Sequence, residues 1–189
     1  MVTIYINGRE VQAEEGAMIL QVARDNLIYI PALCENEAVA PYGACRLCLV
    51  EIRTARGRER LVTSCLYPVE DGLTVQTDTE KITRIRKTLI ELLLARCPDS
   101  EVIQDMAQQM GVGKPRFKLQ KDNHKCILCA LCARVCKEVV GVSAIGLANR
   151  GVNRQLSTPD MAGSAKTNVN NVAPSRFQAK SPEKGGHTV

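Results

Sequence analysis

Tyr42-Gly43-Ala44-Cys45-Arg46-Leu47-Cys48-Leu49-Val50-Glu51 is the stretch that decides how this 189-residue chain is read. Two thiols separated by two residues follow a small-residue turn and run straight into an apolar segment suited to a strand. Cys34 lies upstream and Cys65 downstream, so the full spacing is C-x10-C-x2-C-x16-C. A flat core of two tetrahedral irons needs two thiolates on each iron. A loop carrying several Cys, closed by one distant Cys beside a neighbouring strand, supplies both pairs. Gly43 and Ala44 lack bulk, so backbone N–H groups can approach the sulfurs and stabilise an added electron. A zinc ribbon uses two C-x2-C pairs, whereas Cys65 stands alone. The expectation is therefore a 2Fe–2S cluster on Cys34, Cys45, Cys48 and Cys65, in preference to a zinc knot or buried inert thiols.

Upstream of this stretch, Val2, Ile4 and Ile6 alternate with Thr3 and Tyr5, the period of a half-buried strand. Asn7-Gly8 suits a tight left-handed turn, with Val11 to Ala13 as the return strand. Ala17 to Asn26 has helical spacing, with Leu20, Ala23 and Leu27 on one face. Downstream, residues 47–52, 60–65 and 72–77 read as strands. Thr79 to Arg96 is the clearest helix: Thr79 is placed to cap it, and Ile82, Ile85, Leu89, Leu92 and Leu93 recur at spacings of three and four. Lys81, Arg84 and Lys87 fall on its other face, and Pro98 ends it. A second short helix is expected from Ser100 to Met110.

The composition is 45% hydrophobic and 24% charged, which is that of a globular chain. No run approaches the roughly 20 apolar residues of a membrane span. The opening MVTIYINGREV lacks the charged-then-apolar layout of a secretion signal, so a cytoplasmic location is expected. Nine Cys in such a setting point to metal or redox chemistry and away from disulfides. The net charge of +5 is mild, and an anionic cluster would offset it, so nucleic-acid binding is not implied. There is no Walker loop, G-x-G-x-x-G motif or nucleophile triad, and no visible site for flavin or nicotinamide.

Cys126, Cys129, Cys132 and Cys136 form a second constellation, C-x2-C-x2-C-x3-C. Three thiolates three residues apart can wrap one loop around three corners of a cubane, so a 4Fe–4S cluster is expected here. In two-cluster ferredoxins the last Cys of such a run serves the other cluster, yet no Cys follows Cys136. The fourth ligand is then Cys136 itself, Cys97, a residue of another subunit, or an open iron; the short loop favours Cys136. His124, just before Cys126, is either a tuning hydrogen-bond donor or a surface residue, and His187 is a solvated one. The basic runs at 53–60 and 114–125 read as wet surface, with steering of an acidic partner as the second reading.

The stretch from Met1 to about Asp78 resembles the plant-type ferredoxin fold, a β-grasp. More narrowly, it resembles the N-terminal region of iron-only hydrogenases and of the large iron–sulfur subunit of complex I. In that variant the first gap is ten residues, and its G-x-C-R-x-C motif is matched by Gly43, Cys45, Arg46 and Cys48. The text after Cys136, from Lys137 to Leu147 with Asn149-Arg150-Gly151, is similar to the segment after the first cubane motif in the same hydrogenase and diaphorase families. Those families often carry a His-plus-three-Cys cubane after the long helix. Here that place reads Leu92-Leu93-Leu94-Ala95-Arg96-Cys97-Pro98, without the partner Cys, so that cluster is expected to be missing and Cys97 to be a partly buried thiol.

The architecture expected is α+β: a β-grasp 2Fe–2S domain over 1–78, a helical linker over 79–119, a small 4Fe–4S ferredoxin-like segment over 120–151, and an extended or disordered tail over 152–189. The resemblance implies a non-catalytic electron-transfer subunit of an oxidoreductase complex of the hydrogenase, formate dehydrogenase or electron-bifurcating type. It would relay electrons between a flavin-containing NAD(P)H-oxidoreductase-type subunit and a second redox subunit. A free diffusible ferredoxin and a zinc-stabilised assembly module are the rival readings.

Overall fold

In the computed structural model residues 1–120 and 125–158 are described. The turn at Asn7-Gly8 sets the first hairpin. Both residues take positive φ, 52° and 81°, as a two-residue turn matched to strand twist requires. Strand β1 (Val2–Ile6) thereby pairs antiparallel with β2 (Arg9–Ala13), in the register Ile4 against Val11. Alternation then decides the faces: Val2, Ile4 and Ile6 are buried, while Tyr5 is exposed. Helix α1 (Ile19–Asp25) lays Ile19, Leu20, Val22 and Ala23 on this sheet. Leu27, expected on the same face, lies beyond the helix C-cap at Asn26 with φ 60° and is 96% exposed.

Strands β3 (Leu49–Arg53), β4 (Glu59–Thr63) and β5 (Thr74–Gln76) complete a five-stranded sheet in the order β2-β1-β5-β3-β4. β1 and β5 run parallel at its centre and the other neighbours are antiparallel. This mixed α/β layer, with the first and last strands side by side, is the arrangement of a ferredoxin-like 2Fe–2S domain. Its core is aliphatic, built on Ile4, Ile6, Ile19, Leu20, Val50, Ile52, Leu73 and Val75.

Helix α2 (Glu80–Arg96) starts where the Thr79 side chain accepts the Ile82 N–H at 3.2 Å. Its buried residues are Ile82, Arg86, Ile90 and Ala95; of the expected stripe Ile82 is buried, Ile85, Leu89 and Leu93 are half-buried, and Leu92 is exposed. Arg86 joins the buried face because carbonyls of the cysteine loop draw its guanidinium inward. Helix α3 (Glu101–Gln109) folds back on α2 and buries Ile103, Met106 and Ala107.

The remaining described chain is a loop over 125–130, helix α4 (Leu131–Glu138), and a hairpin of β6 (Gly146–Ala148) and β7 (Gln155–Ser157). The hairpin carries ordered structure past Gly151, where the sequence reading began the tail. Leu147 against Leu156 supplies the apolar cross-strand pair that the tail's polar composition hides. The rest of the expected tail, with His187, lies outside the described residues, as does His124. Among the described residues no helix is long and apolar enough to cross a membrane.

Candidate iron–sulfur sites

Cys48 immediately precedes β3 and Cys65 lies just after β4. The antiparallel register Leu49 against Thr63 therefore brings the two thiols together, with their Sγ atoms 3.4 Å apart. Ser64 secures this closure: its N–H and its hydroxyl both donate to the Cys48 carbonyl, at 3.0 and 2.8 Å. Cys34 and Cys45 form the other pair. The Cys45 N–H donates to Cys34 Sγ at 3.3 Å, and the Leu33 N–H to Cys45 Sγ at 3.5 Å. All four thiols are free and buried. Cys48 and Cys65 belong to the sheet core, whereas Cys34 and Cys45 belong to a second apolar cluster with Leu47, Ile90, Met106 and Ala107.

The pairing distributes charge. The Cys34 thiol, hydrogen-bonded to Cys45, lowers Cys45 to about 5 against the opposing effect of burial, with the Leu33 and Leu47 N–H groups helping. Cys65 does the same for Cys48, which is lowered to about 6. Cys34 and Cys65 are pushed up, first by the same sulfur–sulfur hydrogen bonds and then by burial. Two pairs are the donor set of a two-iron core; a sulfur–sulfur edge around one tetrahedral metal is about 3.8 Å for bonds of about 2.3 Å. No three Cys, His, Asp or Glu among the described residues are placed to hold a single ion.

Backbone shape supports an anionic occupant. Gly43 has φ 70° and Arg46 φ 62°. A left-handed non-glycine residue costs about 1–2 kcal/mol, and alternating left- and right-handed residues turn N–H groups into one concavity that favours anions. A Cβ on Gly43 would also lie 2.5 Å from Leu66 Cδ1. Behind the loop, Arg86 donates through Nε to Leu47 O at 2.9 Å and through NH2 to Leu49 O at 2.8 Å. Sequence reading missed Arg86; an arginine in register with Ile82 and Ile90 was the available signal.

The second constellation repeats the backbone theme. Leu128 and Ala130 take φ 55° and 61° in the loop before α4, and Ala130 caps that helix. Cys132 and Cys136 lie one turn apart on α4, a spacing that shares a face. The Cys136 Sγ accepts the Ala144 N–H at 3.2 Å, and its carbonyl accepts the N–H groups of Val142 and Ser143. Cys129 packs against the apolar cluster that contains Cys34 and Cys45, while Cys132 is exposed. Cys97 ends α2 as a buried thiol pushed up by its burial. The neighbouring Arg96 Nε donates to Cys126 O at 3.2 Å.

Residues 1–80 match the family described as the 2Fe-2S iron-sulfur cluster binding domain. Across most of its length the chain is similar to larger redox proteins. It is 34% identical over 183 residues to the NADPH-Fe(3+) oxidoreductase subunit alpha of Geobacter sulfurreducens, matching 85% of this chain and 21% of that protein. To the mitochondrial NADH-ubiquinone oxidoreductase 78 kDa subunit of Candida albicans it is 30% identical over 182 residues, 83% of this chain and 25% of that one. Among solved structures, a chain of an NAD+-reducing [NiFe]-hydrogenase in the H2-reduced state superposes with a TM-score of 0.74 at 29% identity. That match covers 84% of this chain and 75% of the other. The chain thus spans about a fifth to a quarter of the length of these two curated relatives. These are the complex I and NAD(P)-linked families that the cysteine motifs resemble.

Proposed function

We propose that this protein is an electron-transfer iron–sulfur subunit with two centres: a 2Fe–2S cluster on Cys34, Cys45, Cys48 and Cys65, and a 4Fe–4S cluster on Cys126, Cys129, Cys132 and Cys136. The observation that carries the reading is the set of four buried free thiols arranged as two pairs, with N–H groups aimed at the sulfurs. The clusters, when bound, supply one-electron exchange. The chain's own work is to hold the thiolates, exclude water from the first site with Leu47 and Ile90, and direct backbone N–H groups at the sulfurs. Cys136 is the fourth ligand of the second centre, because its sulfur already receives the Ala144 N–H, a bond that favours a thiolate.

Electrons would pass between a flavin-containing NAD(P)H-oxidising partner and a second redox subunit. Val139, Val140 and Val142, each more than half exposed beside Cys136, favour a subunit that docks there over a freely diffusing ferredoxin. Iron and sulfide quantitation with EPR of the reduced protein tests the assignment. Six irons and six sulfides per chain are expected, from two plus four. Serine at Cys45 or Cys65 should remove the two-iron signal alone, and Cys136→Ser the four-iron signal alone. If Cys97→Ser abolishes the four-iron signal while Cys136→Ser spares it, the fourth-ligand assignment is wrong. Zinc without acid-labile sulfide would replace the whole reading by that of an assembly module.

A further inference from the structure

One guanidinium joins the two cysteine segments, and we propose that Arg134 is the positioning residue through which both redox centres feel the same positive charge. The inference rests on the two-cluster reading above. Arg134 stands on α4 between Cys132 and Cys136 and is 9% exposed. Its NH2 donates to the carbonyl of Cys34 and its NH1 to that of Ala40. Glu138, one turn along α4, accepts the Ala40 N–H at 2.7 Å, so α4 grips both polar groups of that residue. The Arg134 Cζ lies 5.5 Å from the centre of the Tyr42 ring, and the Tyr42 hydroxyl accepts from Arg154 at 2.8 Å.

Charge sets the role. A buried cation is normally paired with an anion, yet none of the ion pairs among the described residues involves Arg134. Its Nε is buried with no hydrogen-bond acceptor. Two carbonyls accept one N–H each and the Tyr42 ring covers the guanidinium plane, which leaves the Nε–H without an acceptor and, among the described residues, the positive charge without a counter-ion. An iron–sulfur group held by Cys34 and its partners would be an anion beside this cation, and one held by Cys132 and Cys136 an anion across the width of α4 from it. One-electron reduction of either centre adds a negative charge, and a nearby fixed cation stabilises that state. The electron comes from a low-potential one-electron donor; the guanidinium keeps its protons and no covalent bond changes.

The test is an EPR-monitored redox titration of the full chain loaded with both clusters, as wild type, Arg134→Gln and Arg134→Lys. For Arg134→Gln, with iron and sulfide content unchanged, both centres should become harder to reduce, each by about tenfold in the reduction equilibrium, or about 59 mV for a one-electron couple. Arg134→Lys keeps the charge but cannot span two carbonyls, so both equilibria should stay within about threefold of wild type. A purely structural role predicts that lysine and glutamine do equal damage. If the glutamine variant does not load, the lysine variant decides alone: potentials near wild type support the proposal, and a tenfold fall at both centres overturns it. A loaded Arg134→Gln protein with unchanged potentials also overturns it, whereas a wild-type preparation with only one kind of cluster overturns the two-cluster reading itself.

Discussion

Replacing Arg86 by Met should open the first cysteine loop from behind. Arg86 is 7% exposed and donates to the carbonyls of Leu47 and Leu49, which bracket Cys48. Hydrogen bonds from a charged donor contribute about 1.5–3 kcal/mol each, so two give roughly 3–6 kcal/mol. Burial opposes this, and it holds the guanidinium below its ordinary range. Removing a desolvated cation returns part of the loss, on the order of 2 kcal/mol. The net destabilisation expected is about 1–4 kcal/mol, or roughly 5- to 1000-fold in the closed-to-open equilibrium. Urea denaturation of the cluster-loaded protein should then show a midpoint lower by about 0.5–2 M, for a slope near 2 kcal/mol/M. Release of iron to a chelator, followed by the visible absorption, should quicken in parallel, because Leu47 lies between two candidate ligands. Arg86→Lys should fall about midway, keeping the charge and losing one of the two bonds. A methionine variant within about 0.5 kcal/mol of wild type, with unchanged iron release, would refute the idea that these two bonds hold the loop.

Gly43→Ala should destabilise the loaded protein by about 1–2 kcal/mol through its φ of 70°, with Leu66 moving aside; the same substitution at the open Gly146 of β6, whose φ is not left-handed, gives the control in a thermal melt. In the iron-free chain, Cys45 and Cys48 lie below their ordinary range, so their contribution is complete above the unfolded value near 8.5 and fades as pH falls through about 5 to 6. Cys34 and Cys65 are raised, so their contribution is lost above pH 9, where only the unfolded thiols ionise. The urea midpoint of that chain should peak near about pH 8, and a flat profile from 5 to 8 would contradict the pairing. Chelating the iron should expose residues 125–157 to protease before the sheet, because among the side chains described there only Ala130 and Arg134 are buried; equal cleavage of both regions would count against this.

Local chemistry was readable wherever one or two residues decide a conformation. Asn7-Gly8 gave the hairpin, Thr79 the start of α2, and the loop around Cys45 its candidate ligands. Positions governed by tertiary contacts were not. Arg86 joined the buried face of α2 because carbonyls some forty residues earlier in sequence needed a donor, which no helical period reports. Helix α4 was invisible as a helix, since Cys132 and Cys136 were read for their spacing as ligands and the apolar period of eight residues is too short to register. Strand β7 was hidden by a polar tail composition and exists through its pairing with β6. The contact of Arg134 with the Cys34 carbonyl spans a hundred residues.

Arg46, Leu128 and Ala130 keep the left-handed backbone of their loops without being glycine. Such residues hold that shape against an intrinsic preference of about 1–2 kcal/mol apiece. An anion seated against the inward-turned N–H groups of these loops would therefore work with their outline and against the residues' own bias.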